Sequence, residues 1–336
     1  MSSRDRRRKR LDRSVKVRSE GLYALSSWRE MTYLLAPRLL LIVGLLTAPL
    51  VLDLYWQRVL CQAGVIALLA LGFDFLAGYV GLVCLGGAMF IGFGGYASGL
   101  LNEYWGLPPA ATIPLATVIG ACLCTLILMP CLRLRGVYFA IITLMLPMFA
   151  RTVIIALGIF GSTEGITGLD ILPNNWWEQY VIILAVLVAL FGLRRLANED
   201  VGLIMMGIKD NDQGVLAAGV SIFRYRVLAV FIAGLIGCFA GAYLAHLYGW
   251  LGLSLWALDF SILPISATVL GGMGTLSGPA IGALILTPLS EALRGFGQLR
   301  VVLYSLILLI VILYKPEGLM NYIERKYHQF ERWEKV

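Results

Sequence analysis

The run Val227-Leu-Ala-Val-Phe-Ile-Ala-Gly-Leu-Ile-Gly-Cys-Phe-Ala-Gly-Ala-Tyr-Leu-Ala-His-Leu-Tyr248 contains no Asp, Glu, Lys or Arg. As a helix rising 1.5 Å per residue it is about 33 Å long, enough to cross roughly 30 Å of hydrocarbon. In lipid, backbone polar groups must be satisfied within the segment, so the run reads as a transmembrane helix. Comparable apolar runs recur from end to end of the chain, while the alternating pattern of a membrane β-barrel is absent. The fold class expected is therefore an all-α polytopic membrane protein.

Composition points the same way. The chain has 336 residues, 59% hydrophobic and only 14% charged, with a mean hydropathy of +0.83. Soluble domains carry about a quarter charged residues, and so little polar surface would not keep this chain in water. The net charge of +7 is concentrated at the start. Through Arg38 there are eleven Lys/Arg against four Asp/Glu, and the rest of the chain is neutral. The cluster Arg4, Arg6, Arg7, Arg8, Lys9, Arg10 ahead of the first apolar run reads as a cytoplasmic, lipid-facing anchor. It lacks the interleaved aromatics of a nucleic-acid-binding arm, and it is too long a leader for a cleaved signal peptide. Cys61, Cys84, Cys122, Cys124, Cys131 and Cys238 lie in or beside apolar runs, and His246 and His328 are far apart. No metal-ligand spacing results, so no metal site is expected and the thiols read as packing residues.

About ten spans can be drawn, over 39–54, 59–77, 82–101, 110–131, 137–159, 179–193, 227–248, 260–270, 279–293 and 301–314. Spans eight and nine are short, and the glycines between them are candidates for a re-entrant turn. Domain boundaries follow: a basic tail over 1–38, a transmembrane body over 39–314 and a C-terminal tail over 315–336. With the amino terminus inside, Arg133, Arg135, Arg194, Arg195, Lys209, Arg224 and Arg226 fall on the cytoplasmic side, as does the tail from Lys315. Arg58, Arg294 and Arg300 fall outside, the last two against the rule.

Two glycine-rich stretches stand out. Gly81-Leu-Val-Cys-Leu-Gly-Gly-Ala-Met-Phe-Ile-Gly-Phe-Gly-Gly-Tyr-Ala-Ser-Gly99 places Gly87, Gly92, Gly95 and Gly99 close to one helical face. Such a face either packs tightly against a neighbouring helix or lines a pathway where broken helices are tolerated. Leu270-Gly-Gly-Met-Gly-Thr-Leu-Ser-Gly-Pro279 hints at a repeat of it. Pro147 is expected to kink span five, in which Arg151 is an ionisable group that is either functional or snorkelling. Gly87, Gly92, Gly95, Tyr96, Tyr138, Thr143, Arg151, Gly271 and Gly272 are the candidate pathway residues. The loop Phe160-Gly-Ser-Thr-Glu-Gly-Ile-Thr-Gly-Leu169 is polar and glycine-rich, fit for a turn at the pathway mouth or for an ordinary solvated loop.

Over 194–226 a polar segment interrupts the spans. Asp210 and Asp212 precede a short helical stretch over 213–218, where acids favour the positive helix end, and Gly219 is a helix stop. A short helix outside the membrane between two spans suits docking in a groove of a partner protein.

These pieces, in order, resemble the permease subunits of branched-chain amino-acid ABC transporters of the LivM type. The resemblance lies in Gly81 to Gly86 with Gly92, Gly94 and Tyr96, then Leu132-Arg-Leu-Arg-Gly136 with Tyr138-Phe-Ala-Ile141, then Gly165-Ile-Thr-Gly168. It continues through Ile208-Lys-Asp-Asn-Asp212, Ala217-Ala-Gly219 and Tyr225-Arg226, the stretch 270–279, and Tyr304-Ser-Leu-Ile with Lys315-Pro-Glu-Gly-Leu319. It spans roughly 60–319. It implies a subunit of the bacterial inner membrane with both termini cytoplasmic, a second homologous permease, two cytoplasmic ABC ATPases and a periplasmic solute-binding protein. It also implies that Lys209, Asp210, Asn211, Asp212, Ala217, Ala218 and Gly219 form the coupling segment that rests on the ATPase. This chain contains no Gly-x-x-x-x-Gly-Lys-Ser/Thr loop, so no cofactor is expected on it and ATP falls to the partner. Cys84, Gly87, Val137, Pro147 and Met148 depart from the family's commoner residues, which leaves urea, amides and aromatic or organic acids as alternative cargo. A secondary transporter would use buried acids, of which Asp74 is the clearest and has no evident partner in the sequence. A passive channel would not need the 210–219 segment. An enzyme lacks any nucleophile, base or metal constellation.

Overall fold

The computed structural model describes residues 52–321 except 135, 173, 298 and 315–317, together with 44, 47 and 49. The basic leader, most of the first expected span, Arg135, His328 and most of the C-terminal tail lie outside the described residues. From Pro49 onward the chain forms one unit, and the helices below belong to it.

In order these are α1 (Leu54–Asp74), α2 (Gly87–Trp105), α3 (Pro109–Leu128), α4 (Val137–Leu157), α5 (Asn175–Asn198), α6 (Asp200–Asp210), α7 (Asp212–Ala217), α8 (Ile222–Tyr248), α9 (Asp259–Gly271), α10 (Ser277–Ala292) and α11 (Leu299–Tyr314). Every expected span from the second to the tenth has a helix. Among the described residues, five stretches are long and apolar enough to cross a bilayer alone: Leu54–Val80, Pro109–Leu128, Val137–Leu157, Trp176–Asn198 and Ile222–Tyr248. Leu54, drawn as the end of the first span, instead begins α1. Span six is longer than its apolar run, because α5 continues through Arg194 and Arg195. Pro147 lies inside an unbroken α4 and does not divide it.

Among the described residues, three departures from regular α-helix bear on the site. After Asp74 the helix loosens into a π-turn, Phe75–Val80, ended by Gly81 at φ +75°. Residues 81–86 then run without helix to α2. Finally, Ile166–Thr167 (β1) pairs antiparallel with Trp250–Leu251 (β2), in a two-residue ladder that no run of alternating residues announced.

The α1 stretch is the centre of the unit: 89% of its apolar window is buried, against 22% for α4 and 28% for α5. α4 and α5 instead present Phe149, Leu157, Leu184, Val188 and Phe191 outward, as lipid-facing helices should. Lipid is as apolar as leucine, so helix association depends on close packing. α2 and α8 achieve it through glycine. A Cβ on Gly94 would overlap the Cys238 backbone, and one on Gly241 would overlap the Ile91 carbonyl. α1 and α10 run antiparallel, tied at one end by Tyr55 OH donating to Glu291 Oε1 at 2.6 Å and at the other through Asp74. The Asp74 end also carries α6 and α7, and the opposite end carries the β ladder.

Candidate functional site at the α6–α7 end

α7 is six residues long with none buried. Its cap is Asn211, whose Oδ1 accepts the Gly214 N–H at 3.1 Å, where the sequence suggested the flanking acids. Gly219 at φ +81° ends it, with nothing within 4 Å of a Cβ placed there. Asp210, Ala217 and Ala218 are exposed. The segment thus projects, yet both of its flanks are fastened. Lys209 Nζ donates to the Gly78 carbonyl at 2.6 Å, a carbonyl of the π-turn, and the Gly81 bend sits 3.3 Å from the Lys209 Cα for a Cβ placed on it. On the other side Arg226 reaches Asp212 at 3.9 Å and donates to the Leu132 carbonyl at 3.4 Å. A cleft of about 320 Å³ opens between Gly81, Leu134, Gly136, Lys209, Asp212 and Arg226.

Asp74, expected to lack a partner, is the next link. Its Oδ1 accepts the Gly274 N–H at 2.6 Å and its Oδ2 the Leu276 N–H at 3.1 Å, and Tyr79 OH donates to the Gly274 carbonyl at 3.2 Å. The π-turn region therefore holds the second glycine-rich loop with one hand and receives Lys209 with the other. Gly271 ends α9 and Gly272 opens this loop, and a Cβ on Gly271 would overlap the Gly278 carbonyl.

The other candidate residues separate. Thr143 is fully buried and its Oγ1 accepts the Leu85 N–H at 3.0 Å, fixing the non-helical stretch before α2. Tyr138 is 73% exposed and Arg151 is also on the outer surface of α4, so neither meets the glycine face in this chain. Gly87, Gly92 and Gly95 are covered: Gly87 by the Phe260 carbonyl, Gly92 by the Trp256 ring and Gly95 by Leu255. Tyr96 lies beneath the same cover, 5% exposed. Among the described residues no group of three or more His, Cys, Asp or Glu is placed to hold a metal.

A family model described as the branched-chain amino acid transport system permease component matches residues 55–314. The chain belongs to that family. The permease is 26% identical over 284 residues to the high-affinity branched-chain amino acid transport system permease protein LivM of Salmonella typhimurium, covering 75% of this chain and 67% of that protein. The LivM protein of Escherichia coli gives the same figures. The probable branched-chain amino acid transport permease protein LivM of Methanocaldococcus jannaschii is 25% identical over 285 residues, covering 72% of this chain and 82% of that protein. No solved structure matches the chain. The permease is thus a transmembrane transport protein and one component of a transport system.

Sequence reading missed a polar cluster near the ladder end of the permease. His246 is fully buried. Its Nε2 lies 2.9 Å from Ser98 Oγ and 2.8 Å from Thr112 Oγ1, and its Nδ1 lies 2.7 Å from the Asp170 carbonyl. Asn102 adds a bond to the Asp170 carboxylate at 2.9 Å. Five polar residues on four different segments gave no local signal, although a histidine inside an apolar run did mark one of them.

Proposed function

We propose that the chain is the membrane-spanning permease of an ATP-driven importer that carries branched-chain or other hydrophobic amino acids across a bacterial inner membrane. In this reading the α6–α7 end is cytoplasmic, as are both termini, and the segment over 194–226 is the coupling element within a transmembrane body over 39–314. Its partners are a second homologous permease, two ATPase subunits beneath the membrane and a periplasmic solute-binding protein. ATP is bound by the ATPases, and no cofactor is required on this chain.

The observation that carries the reading is an exposed, capped helix fastened to the core on both flanks. A short lever transmits force only if its ends are tied to what must move. Lys209 ties it to the π-turn, and Asp74 and Tyr79 tie the π-turn to the 272–276 loop, so displacement of Lys209 through Gly219 by an ATPase reaches two breaks in the helices. Breaks of this kind line the substrate sites of membrane transporters. Gly87, Thr143, Gly271 and Gly272 lie in or beside these breaks, Gly92, Gly95 and Tyr96 lie further along α2 under Leu255 and Trp256, and these seven are the pathway residues retained, with Tyr138 and Arg151 left for a surface shared with the second permease. The glycine-rich loop over 270–279 is a re-entrant candidate in an assembly of about ten spans. An ion-coupled transporter is disfavoured, because both oxygens of Asp74 are engaged by backbone donors. Permeation of urea, amides or organic acids uses the same coupling and differs only in cargo.

The test is uptake of radiolabelled L-leucine by vesicles containing the full assembly, with ATP inside or withheld. Uptake is expected only with ATP, and Gly219→Trp should uncouple hydrolysis from uptake without loss of membrane insertion. Uptake that ignores ATP and follows a proton or sodium gradient would overturn the proposal.

A further inference from the structure

After Gly249 the chain does not enter a helix directly. Residues 250–258 descend the glycine face of α2, with Leu251 3.0 Å from a Cβ on Gly99, Leu255 2.7 Å from one on Gly95, and Trp256 against Gly92. α9 begins at Asp259, level with the start of α2: Gly87 abuts the Phe260 carbonyl, and Ala88 N–H donates to Ser261 Oγ at 3.1 Å. Phe90, one turn along α2, packs on Gly237 in the middle of α8. Two helices therefore start deep inside the bundle, where non-helical backbone is tolerated only if protein or a pathway surrounds it.

Tyr96 and Trp256 stand at this place, 5% and 3% exposed. Their ring centroids are 5.6 Å apart and tilted by 52°. Phe93 lies edge-on to Trp256 at 5.1 Å and Phe160 edge-on to Tyr96 at 6.2 Å. Among the described residues, Tyr96 OH and Trp256 Nε1 have no hydrogen-bond partner. The two rings are adjacent, yet neither polar atom meets hydrogen-bond geometry with the other. Buried polar groups are nearly always paired, so two orphans side by side call for a missing partner. An indole N–H can only donate and a phenol also donates, so the partner must offer an acceptor. Phe160 is brought to Tyr96 by a loop in which Phe160 and Ser162 hold φ of +54° and +45°. Such backbone strain in residues other than glycine concentrates at functional sites.

We propose that Tyr96 and Trp256 form a solute-binding subsite for an acceptor oxygen, either a carboxylate or a carbonyl oxygen, with Phe93 and Phe160 walling its apolar part. The inference rests on the importer reading and names the chemistry of its pathway. Both donors are neutral, so the subsite selects an acceptor atom and not a net negative charge. Entry requires residues 250–258 to withdraw from the glycine face of α2, and a ladder of only two residue pairs ties that segment to the 160–168 loop.

The test uses the purified full chain in lipid nanodiscs and equilibrium binding of radiolabelled probes. L-leucine and L-leucinamide carry an acceptor oxygen, whereas 3-methylbutylamine keeps the apolar part and the nitrogen and lacks that oxygen. Wild type should bind one or both of the first two and bind the amine at least roughly tenfold more weakly. Binding of leucine alone identifies a carboxylate, and equal binding of leucinamide a carbonyl. Tyr96→Phe and Trp256→Phe keep the rings and should each weaken the bound probe roughly five- to tenfold, with affinity for the amine unchanged. Equal affinity for all three probes, no binding of any, or variants that bind as wild type would each overturn the subsite. The importer reading is judged separately, by the ATP dependence of uptake.

Discussion

Replacing Asp74 by Asn changes one atom in a fully buried side chain and separates its two hydrogen bonds. The amide oxygen can still accept one N–H, from Gly274 or Leu276, but its NH2 then faces the other donor. A bond to a charged acceptor contributes about 1.5–3 kcal/mol, and an orphaned N–H adds its own desolvation cost. A local loss of about 2 kcal/mol is a cautious figure. At about 1.4 kcal/mol per factor of ten, it raises the open population of the 272–276 loop roughly thirtyfold. Hydrogen exchange of a peptide covering 270–279, followed by mass spectrometry on the detergent-purified chain, reads that population directly when closing is fast. Glu291→Gln is the control. It weakens the other end of the same α1–α10 pair, so the loop should exchange as in wild type, as expected of distant sites. If D74N leaves exchange over 270–279 within twofold of wild type, the carboxylate does not hold the loop and the link from α6 to the second break is wrong.

Further outcomes follow from the same geometry. Lys209→Ala removes the 2.6 Å bond to Gly78 and should lower solute uptake at least roughly tenfold while ATP hydrolysis by the assembly persists; unchanged uptake per ATP hydrolysed refutes the link. His246→Ala leaves Ser98 and Thr112 without their buried partner. About 2–4 kcal/mol of destabilisation is expected, read as a lower thermal unfolding midpoint in detergent. Gly241→Leu drives a side chain into the Ile91 backbone and should abolish folded protein in size-exclusion profiles. The same change at Gly192, where nothing lies within 4 Å of an added Cβ, should be tolerated.

Much of this architecture was legible in the chain. Apolar length marked the helices from the second span onward, because the requirement that lipid imposes on backbone groups is local and can be judged run by run. Asp210, Asp212 and Gly219 likewise marked α7, since helix-end signals are local, although the cap itself is Asn211. The glycine face of α2 was visible too, but not what covers it. That role falls to Leu251, Leu255 and Trp256, more than a hundred residues away.

Asp74 shows the same division more sharply. Its sequence neighbours are apolar, and read locally it is an isolated acid, the kind an ion-coupled transporter would use. Its real partners are the amides of Gly274 and Leu276, and backbone donors leave no trace in residue identity. His246, Ser98, Thr112 and Asp170 converge in the same way from separate segments. The sequence by itself determined that the chain lives in a membrane, where its helices fall and which short helix projects from them. Only the tertiary structure decided which polar groups are paired and which buried donors are left waiting, because pairing depends on distances between segments that the order of residues does not specify.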